Sequence, residues 1–339
     1  MTAAALRASV VIATRNRKSA LGLALDSLER QTLGAAAFEV VVVDDGSTDG
    51  TAAAAEERGR RGPLAIRVVR QAQAGPAAAR NAGAAAARGA ILAFHDDDVV
   101  ADPEWLAAGL VAFSSERVGA VEGRVRVAPR ERIGAFTRLV ENEAGGRYLT
   151  ANLFVRAEVF RSAGGFDVGF GPHDYFREDT DLAYTLLEAG HAIPFAPAAL
   201  VFHPPAADGP LWPLRQARKY RHDRRLWRKH PALCREQLDA QRMGGLLVRR
   251  PRQRSYVLAS AALAAGIALG LTGRPAVGLL VGFVGSAPAM LLHLAPLARA
   301  RSLGAVLAAP VVAAVAVVSA LLYVTVVTRA TLVARVRAR

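Results

Sequence analysis

The chain has 339 residues, 52% of them hydrophobic, which allows one large core domain with an appendage or two ordinary domains. The single cysteine, Cys234, excludes an internal disulfide framework and is typical of a chain in a reducing compartment. The formal net charge of +14 indicates anionic partners, and nucleic acid, phosphates and anionic lipid are all candidates on charge alone.

The N-terminus does not show the pattern of a secretory signal. The apolar run at 9–13 is too short for the hydrophobic region of a signal peptide, and Arg15 and Arg17 follow it directly. We therefore predict that this run is a buried strand and that the folded part of the chain lies on the cytoplasmic side.

Short apolar runs alternate with helical patterns from residue 9 to about 205, which is typical of βαβ units. Strands are predicted at 9–13, 38–43, 66–69 and 90–94, and helices at 19–31, 76–88, 103–113 and 180–190. Open α/β sheets bind ligands where such strands end. The turns that follow the predicted strands are therefore the first place to look for a site.

Acidic clusters follow two of these strands, Asp44-Asp45 after the second and Asp96-Asp97-Asp98 after the fourth. Carboxylates gathered at neighbouring strand ends repel one another unless a cation lies between them. Oxygen ligands of this kind suit a divalent metal, Mg or Mn, bound together with substrate phosphates. Solvated turns are the alternative interpretation, since Asp and Gly are common turn formers.

Several motifs stand in a specific order along the chain. They are SVVIATRNR at 9–17, VVVDDGSTDGT at 41–51, GPAAARNAG at 75–83, HDDD at 95–98, GGFD at 164–167 and REDTDL at 177–182. Together they resemble the family 2 glycosyltransferases, over about residues 9–205. The resemblance implies an α/β catalytic domain with the GT-A fold, a Rossmann-like fold of nucleotide-diphospho-sugar transferases.

The resemblance also implies which residues bind the nucleotide-sugar donor. Thr14, Arg15 and Asp45 would hold the base and the ribose of the nucleotide. The helix that carries the third motif would turn its Arg and Asn towards the donor, so that Arg80 faces the diphosphate. Asp96, the first residue of the D-x-D metal motif, would also bind the donor.

The divalent cation would be held at the same D-x-D motif, with Asp98 as the direct ligand beside Asp96. His203 follows another predicted strand, at 199–202, and is a candidate third ligand, although a lone His at a strand end is more often structural. His95 stands where the family usually has an apolar residue before the motif. We assign His95 to packing or to orienting the acidic residues.

Glu178 and Asp179 stand at the start of a predicted helix, a position that favours acidic residues on electrostatic grounds alone. The resemblance implies that Asp179 is the general base, with Glu178 beside it, in a single displacement that inverts the anomeric centre. The chain lacks the Q-x-x-R-W element of processive synthases, which residues 224–227 resemble only distantly. Transfer of a single sugar is therefore predicted.

Residues 211–254 are rich in Arg and Lys and carry aromatic side chains, including Trp212, Tyr220 and Trp227. A basic, aromatic helix that precedes hydrophobic segments is typical of an interfacial element on an anionic membrane leaflet. A solvated helix face is the alternative. The adjoining hydrophobic segments argue against a nucleic-acid partner, and we expect none.

Three stretches without charged residues, at 256–272, 276–298 and 303–327, approach or exceed the roughly 20 residues that span a bilayer. We predict a multi-pass protein of the cell (inner) membrane with its catalytic domain in the cytoplasm. Three spans would leave the basic C-terminal tail outside, against the positive-inside tendency. Two spans and one interfacial segment would restore that tendency, so the topology stays open.

The sequence thus predicts a GT-A catalytic domain at 1–210, a basic interfacial region at 211–254, and transmembrane helices with a basic tail at 255–339. The predicted acceptor is membrane-associated: a polyprenyl-linked intermediate, a glycolipid or a cell-envelope glycan. Two alternatives remain. A non-catalytic membrane scaffold would have no need of so many clustered carboxylates, and a nucleotidyltransferase would ordinarily show glycine in the turn at 14–17.

Overall fold

The computed structural model describes residues 6–128, 137–171, 176–207, 212–238, 240–243, 246–300 and 318. The chain divides into two compact units. The first unit comprises Met1–Glu131 and Leu139–Pro204, and the second comprises Arg132–Arg138 and Pro205–Arg339. The domain boundaries that the sequence predicts after residues 210 and 254 stay predictions.

The described residues contain strands and helices in alternation. The strands are β1 (Ala8–Thr14), β2 (Phe38–Asp44), β3 (Ile66–Arg70), β4 (Ile91–His95), β5 (Val100–Ala101), β6 (Ala120–Val127), β7 (Thr137–Arg138), β8 (Asn152–Arg156), β9 (Phe195–His203), β10 (Ala206–Ala207), β11 (Ala240–Met243) and β12 (Leu246–Arg249). The helices are α1 (Lys18–Glu29), α2 (Thr51–Arg61), α3 (Pro76–Ala86), α4 (Trp105–Val111), α5 (Ala157–Ser162), α6 (Glu178–Glu188), α7 (Trp212–Lys219), α8 (Asp223–Lys229), α9 (Pro231–Gln237), α10 (Arg250–Leu271) and α11 (Pro275–Ala300).

The first unit is built on an eight-stranded mixed sheet with the order β3-β2-β1-β4-β8-β6-β9-β5. Strand β1 is parallel to β2 and β4, and β2 is parallel to β3. Strand β8 is antiparallel to both β4 and β6, and β6 is parallel to β9. Strands β1, β2, β4, β6 and β9 therefore point the same way, and their carboxyl ends lie at one edge of the sheet.

Helices cover both faces of this sheet, which explains why its central strands are continuous apolar runs. On one face, Leu25 of α1 and Trp105 of α4 pack in a core with β1 and β2. On the other face, Ala77 of α3 and Leu182 of α6 pack against β4 and β8. The predicted strands at 9–13, 38–43, 66–69 and 90–94 correspond to β1 to β4 and are confirmed. The four predicted helices correspond to α1, α3, α4 and α6.

In the second unit, α10 and α11 pack closely along their length. A Cβ atom added to Gly266 would lie 2.5 Å from the carbonyl oxygen of Gly278, and one added to Gly285 would overlap the Cβ atom of Ala262. Only glycine permits such an approach of two helix backbones. The outer sides of the two helices carry exposed apolar residues, among them Leu279 and Phe283.

The predicted membrane spans at 256–272 and 276–298 fall within α10 and α11. In the part of the chain that the structure describes, no helix has both the length and the apolar character needed to cross a membrane. Helix α10 begins with Arg250, Arg252 and Arg254 and continues largely with small residues, which carry little apolar surface. These two predicted spans are therefore not supported. The third, 303–327, lies outside the described residues except for Val318.

Two glycines inside helices test the packing of the first unit. A Cβ atom added to Gly109 of α4 would overlap the ring of buried Phe154, whereas one added to Gly22 of α1 would meet nothing within 4 Å. Gly109→Ala should lower the free energy of unfolding by about 1–3 kcal/mol, the usual effect of overpacking a core. Gly22→Ala should raise it by about 0.5–1 kcal/mol, because alanine favours the helix.

Urea denaturation of the full chain, followed by tryptophan fluorescence, measures both effects. The two substitutions add the same methyl group to a helix interior, so each controls for the other. Changes of the same sign would contradict the described packing of α4 on the sheet.

Candidate active site

The carboxyl ends of β1, β2, β4 and β9 bring polar residues to one edge of the sheet in the first unit. Strand β4 leads directly into Asp96, Asp97 and Asp98, and β9 ends at His203. Helix α3 contributes Arg80. The structure thus brings residues of four separate sequence motifs to the same place.

Asp96, Asp98 and His203 each offer one ligand atom, and the three atoms lie within 4.8 Å of one another. Nδ1 of His203 lies 2.7 Å from the carbonyl oxygen of Pro204, which can only accept, so Nδ1 is the donor. In the neutral imidazole the lone pair then lies on Nε2, which is 3.8 Å from Oδ1 of Asp98. Two carboxylates and one oriented imidazole fit a divalent cation such as Mn²⁺.

Asp97, the middle residue of the acidic motif, has different partners. It accepts a hydrogen bond of 2.7 Å from the hydroxyl of Thr14, and Nη1 of Arg17 lies 3.2 Å from its Oδ1. Burial raises the pKa of Asp97 to about 6, although the Thr14 bond and Arg17 act in the opposite direction. The buried Thr14 hydroxyl thus holds the acidic turn, and its predicted contact with the nucleotide stays a prediction.

Asp45 is buried and accepts hydrogen bonds from the segment between β3 and α3. The donors are the side chain of Gln71 at 2.7 Å, the amide of Ala74 at 2.8 Å and the amide of Gly75 at 2.9 Å. Asp45 therefore braces the turn from which α3 starts. Arg15, the third residue predicted to hold the nucleotide, is exposed in the turn after β1.

Asp44, which precedes Asp45 in the acidic cluster after β2, was given no role of its own from the sequence. Its Oδ2 accepts a hydrogen bond of 3.3 Å from the amide of Ser47. Its Oδ1 is buried and has no hydrogen-bond partner among the described residues. A buried acceptor without a partner is costly, which suits a group that awaits a ligand. The feature of the sequence that could have identified Asp44 as a site residue is its position beside Asp45 at the end of a strand.

Arg80 lies at the centre of the charged groups. Its Nη2 is 2.8 Å from Oδ1 of Asp96, its Nη1 is 3.5 Å from Oε1 of Glu178, and its guanidinium lies 5.9 Å from the ring centre of Phe166. Burial lowers the pKa of Arg80, but Asp96 and Glu178 outweigh it and leave that pKa raised. Arg80 is thus a buried link between the acidic motif and α6, and its predicted contact with the diphosphate stays a prediction.

Asn81, the next residue of α3, which the resemblance turns towards the donor, is bonded within the chain. Its side chain donates to the carbonyl of Phe166 at 2.8 Å and accepts from the amide of Phe166 at 2.9 Å. The preceding residue, Gly165, has a φ of +74°, and a Cβ atom there would lie 2.7 Å from Oδ1 of Asn81. Asn81 therefore attaches the GGFD segment to α3, which places the ring of Phe166 beside Arg80.

Glu178 and Asp179 open α6, after Arg177 in a left-handed conformation with φ of 85°. Glu178 is 5% exposed and faces Arg80. Burial, reinforced by the charge of Asp179, raises the pKa of Glu178 to about 7. Burial also raises the pKa of Asp179, against the opposing charge of Arg177. Oδ1 of Asp179 accepts from the amide of Thr180 at 2.6 Å, and Asp179 remains partly exposed.

His95 is buried against the ring of Trp105, with ring centres 5.0 Å apart in an edge-to-face contact. Neither of its ring nitrogens has a hydrogen-bond partner among the described residues. Burial lowers the pKa of His95 to about 4, so that it is neutral near pH 7. This environment agrees with the packing role that the sequence suggested.

The raised pKa of Glu178 makes the stability of the chain depend on pH. Between the ordinary value of 4.5 and about 7, the folded chain holds a proton that the unfolded chain has released. The contribution of this group to stability is therefore greatest below pH 4.5 and is lost as the pH rises through 7. Glu178→Gln should remove this dependence on pH. The free energy of unfolding of the variant, relative to that of the parent chain, should therefore rise by about 1–3 kcal/mol as the pH increases across this window.

Urea denaturation at pH values across and above this window measures the difference between Glu178→Gln and the parent chain. Glu188→Gln, at the exposed end of the same helix, is the matched control and should show no such trend. A difference that does not change with pH would contradict the described burial of Glu178.

The family comparisons agree with this geometry. Residues 9–163 match the family model described as Glycosyl transferase family 2. Glycosyltransferase AglE of Haloferax volcanii is 32% identical over 202 residues, which are 56% of this chain and 66% of that protein. The pre-mycofactocin glycosyltransferase of Mycobacterium tuberculosis is 34% identical over 212 residues, which are 58% of this chain and 42% of that protein. The match thus extends over less than two thirds of either relative.

A solved structure shares the architecture. The mannosyltransferase PcManGT from Pyrobaculum calidifontis, in complex with GDP-Man and Mn²⁺, superposes with a TM-score of 0.57 at 21% identity. The superposition covers 96% of this chain and 86% of the mannosyltransferase chain. At this identity the likeness shows the fold. Residues 9–163 are therefore a glycosyl transferase family 2 domain, and they belong to a unit with the α/β GT-A fold.

Proposed function

We propose that this chain transfers one sugar from a nucleotide-sugar donor, a nucleoside diphosphate linked to that sugar, to a hydroxyl group of a membrane-associated acceptor. The transfer inverts the configuration of the anomeric carbon. The observation that carries the proposal is the buried link from the Asp96, Asp98 and His203 cluster through Arg80 to the acids of α6. The family match and the GT-A fold support the same reaction class. A scaffold would not need this arrangement, and a nucleotidyltransferase would ordinarily show glycine in the turn at 14–17.

The nucleotide of the donor would lie across the carboxyl ends of β1 and β2. Support comes from Oδ1 of Asp44, a buried acceptor without a partner among the described residues, which an N–H or O–H group of the nucleotide would satisfy. The exposed guanidinium of Arg15 lies in the adjoining turn. Asp45 would support this region by holding the start of α3, and Thr14 by holding the acidic turn.

Asp98, Asp96 and His203 would hold a divalent cation, Mg or Mn. When bound, such a cation supplies positive charge that stabilises the departing nucleoside diphosphate. The residues of the chain prepare this site. The buried guanidinium of Arg80 keeps the partly exposed Asp96 ionised, and the carbonyl of Pro204 fixes the tautomer of His203.

Asp179 would act as the general base. Its Oδ1 is held by Thr180, which leaves Oδ2 for the acceptor hydroxyl. As the hydroxyl oxygen bonds to the anomeric carbon, the bond from that carbon to the phosphate oxygen breaks and the hydroxyl proton passes to Asp179. Glu178 contacts Arg80 and would act only by positioning.

Two neighbouring substitutions test these roles. Asp179→Asn should reduce turnover by about a hundredfold or more, the usual scale for lost proton transfer, while leaving donor affinity nearly unchanged. Glu178→Gln should cost less, because Glu178 faces Arg80 and not the acceptor. Turnover is measured as release of nucleoside diphosphate, with and without Mn or Mg, using the most active donor from a panel of nucleotide sugars. Calorimetry gives the donor affinity.

Each outcome of this comparison has a distinct meaning. If Glu178→Gln is inactive while Asp179→Asn stays active, the roles of the two acids are exchanged. If both variants keep full turnover, the base lies elsewhere. If no nucleotide sugar is cleaved under any metal condition, the proposed reaction class itself is wrong.

We also propose that the chain works at the cytoplasmic side of the inner membrane, on a polyprenyl-linked, glycolipid or cell-envelope acceptor. Support comes from the basic aromatic helices α7 and α8 and from the exposed apolar residues of α11, where Leu279 is 77% and Phe283 67% exposed. The uncharged stretch at 303–327 adds further apolar sequence.

A high-salt wash of membranes that contain the full chain tests this attachment. Salt screens the attraction of basic residues to anionic lipid but does not weaken apolar burial. We therefore expect the full chain to stay with the membranes after the wash and to leave them in detergent. Release by salt alone would show that only surface charge holds the chain.

A further inference from the structure

Arg17 reaches across the acidic motif from the turn after β1. Its Nη1 lies 2.5 Å from Oδ2 of Asp98 and 3.2 Å from Oδ1 of Asp97. The side chain of Arg17 is 50% exposed, whereas those of Asp97 and Asp98 are 9% and 21% exposed. A cationic side chain at the surface thus covers the oxygen atoms of a more buried acidic turn.

The three consecutive carboxylates do not share one positive partner. Asp96 pairs with the buried guanidinium of Arg80 at 2.8 Å. Asp98, the residue proposed as direct metal ligand, pairs with Arg17 instead, and His203 lies farther away at 3.8 Å. The positive charge beside Asp98 is therefore supplied by a side chain that is half exposed, whereas that beside Asp96 is buried.

The acidic turn is also held by bonds that do not involve Arg17. The Thr14 hydroxyl holds Asp97 at 2.7 Å, and the amide of Val99 donates to the carbonyl of Asp96 at 3.4 Å. Loss of Arg17 would consequently remove a charge from Asp98 without removing these bonds. A substitution of Arg17 therefore tests the effect of its charge on Asp98 and not its effect on the shape of the turn.

We propose that Arg17 is a built-in counter-ion of Asp98 that a divalent cation must displace before it can bind. The proposal rests on the proposed function, which places the cation at Asp96, Asp98 and His203. A guanidinium and a divalent cation repel each other at short distance, and both are drawn to the same carboxylate. Arg17 thus lowers the affinity of the chain for the free cation.

Titration of the full chain with Mn²⁺ in the absence of nucleotide tests the proposal. Calorimetry or the paramagnetic resonance signal of free Mn²⁺ gives the dissociation constant. Arg17→Gln should tighten Mn²⁺ binding by about tenfold, because it removes the competing charge and keeps a polar side chain. Arg17→Lys keeps a positive charge and should stay within about threefold of the parent chain.

Arg15→Gln is the matched control, because it removes one positive charge from the same turn at an exposed position. Its Mn²⁺ affinity should change by less than about twofold, since salt screens an exposed charge. An equal gain in Arg15→Gln and Arg17→Gln would overturn the proposal, because the effect would then come from net charge alone. Unchanged or weaker Mn²⁺ binding in Arg17→Gln would overturn it as well.

Asp98→Asn separates this proposal from the proposed metal site. If Asp98→Asn binds Mn²⁺ as tightly as the parent chain, the metal site itself is wrong. If Asp98→Asn loses Mn²⁺ binding but Arg17→Gln gains none, the metal site stands and the role of Arg17 fails. In an Asp98→Asn background, the gain from Arg17→Gln should vanish, and a persisting gain would show that Arg17 does not act through Asp98.

Discussion

The buried guanidinium of Arg80 is the interaction on which the rest of the site depends. It joins Asp96, at the end of β4, to Glu178, at the start of α6. Removing one partner from a buried ion pair typically costs about 3–5 kcal/mol, because it leaves an uncompensated charge. The next residue of α3, Asn81, holds Phe166 beside the guanidinium. One side chain therefore keeps β4, α3 and α6 in their mutual positions.

The carboxylates of the site divide into two kinds by their hydrogen bonds. Asp45 and Asp97 are bonded within the chain, one to the start of α3 and the other to Thr14, so they brace turns. Asp98 and Asp179 are partly exposed, and each is bonded through one oxygen only: Arg17 holds Oδ2 of Asp98, and Thr180 holds Oδ1 of Asp179. A carboxylate can meet a ligand only with an oxygen of this second kind. Acidic residues that look alike in the sequence therefore differ in whether an oxygen is available to bind a ligand.

The sheet was predictable from the sequence where its strands are buried on both faces. Strands β1, β2 and β4 contain uninterrupted apolar runs, at 10–13, 40–43 and 91–94, and such runs can be read locally. Strand β6 was missed, because Glu122 interrupts its pattern. That carboxylate is buried and accepts hydrogen bonds from the amides of Gly146 at 2.6 Å and Arg147 at 2.8 Å. A local pattern cannot show that a distant loop will satisfy a buried acid.

The sequence by itself determined which residue types stand at the strand ends, and hence the acidic motif and the resemblance from which the candidate base was predicted. Only the tertiary structure decided the partners of those residues. Thr14 bonds to Asp97 across 83 positions, and Asn81 bonds to Phe166 across 85. Strand formation depends on neighbours in the chain, whereas a side-chain hydrogen bond depends on which segments the fold brings within about 3 Å. The pairing of Arg17 with Asp98 follows from the parallel alignment of β1 and β4, which no local pattern contains.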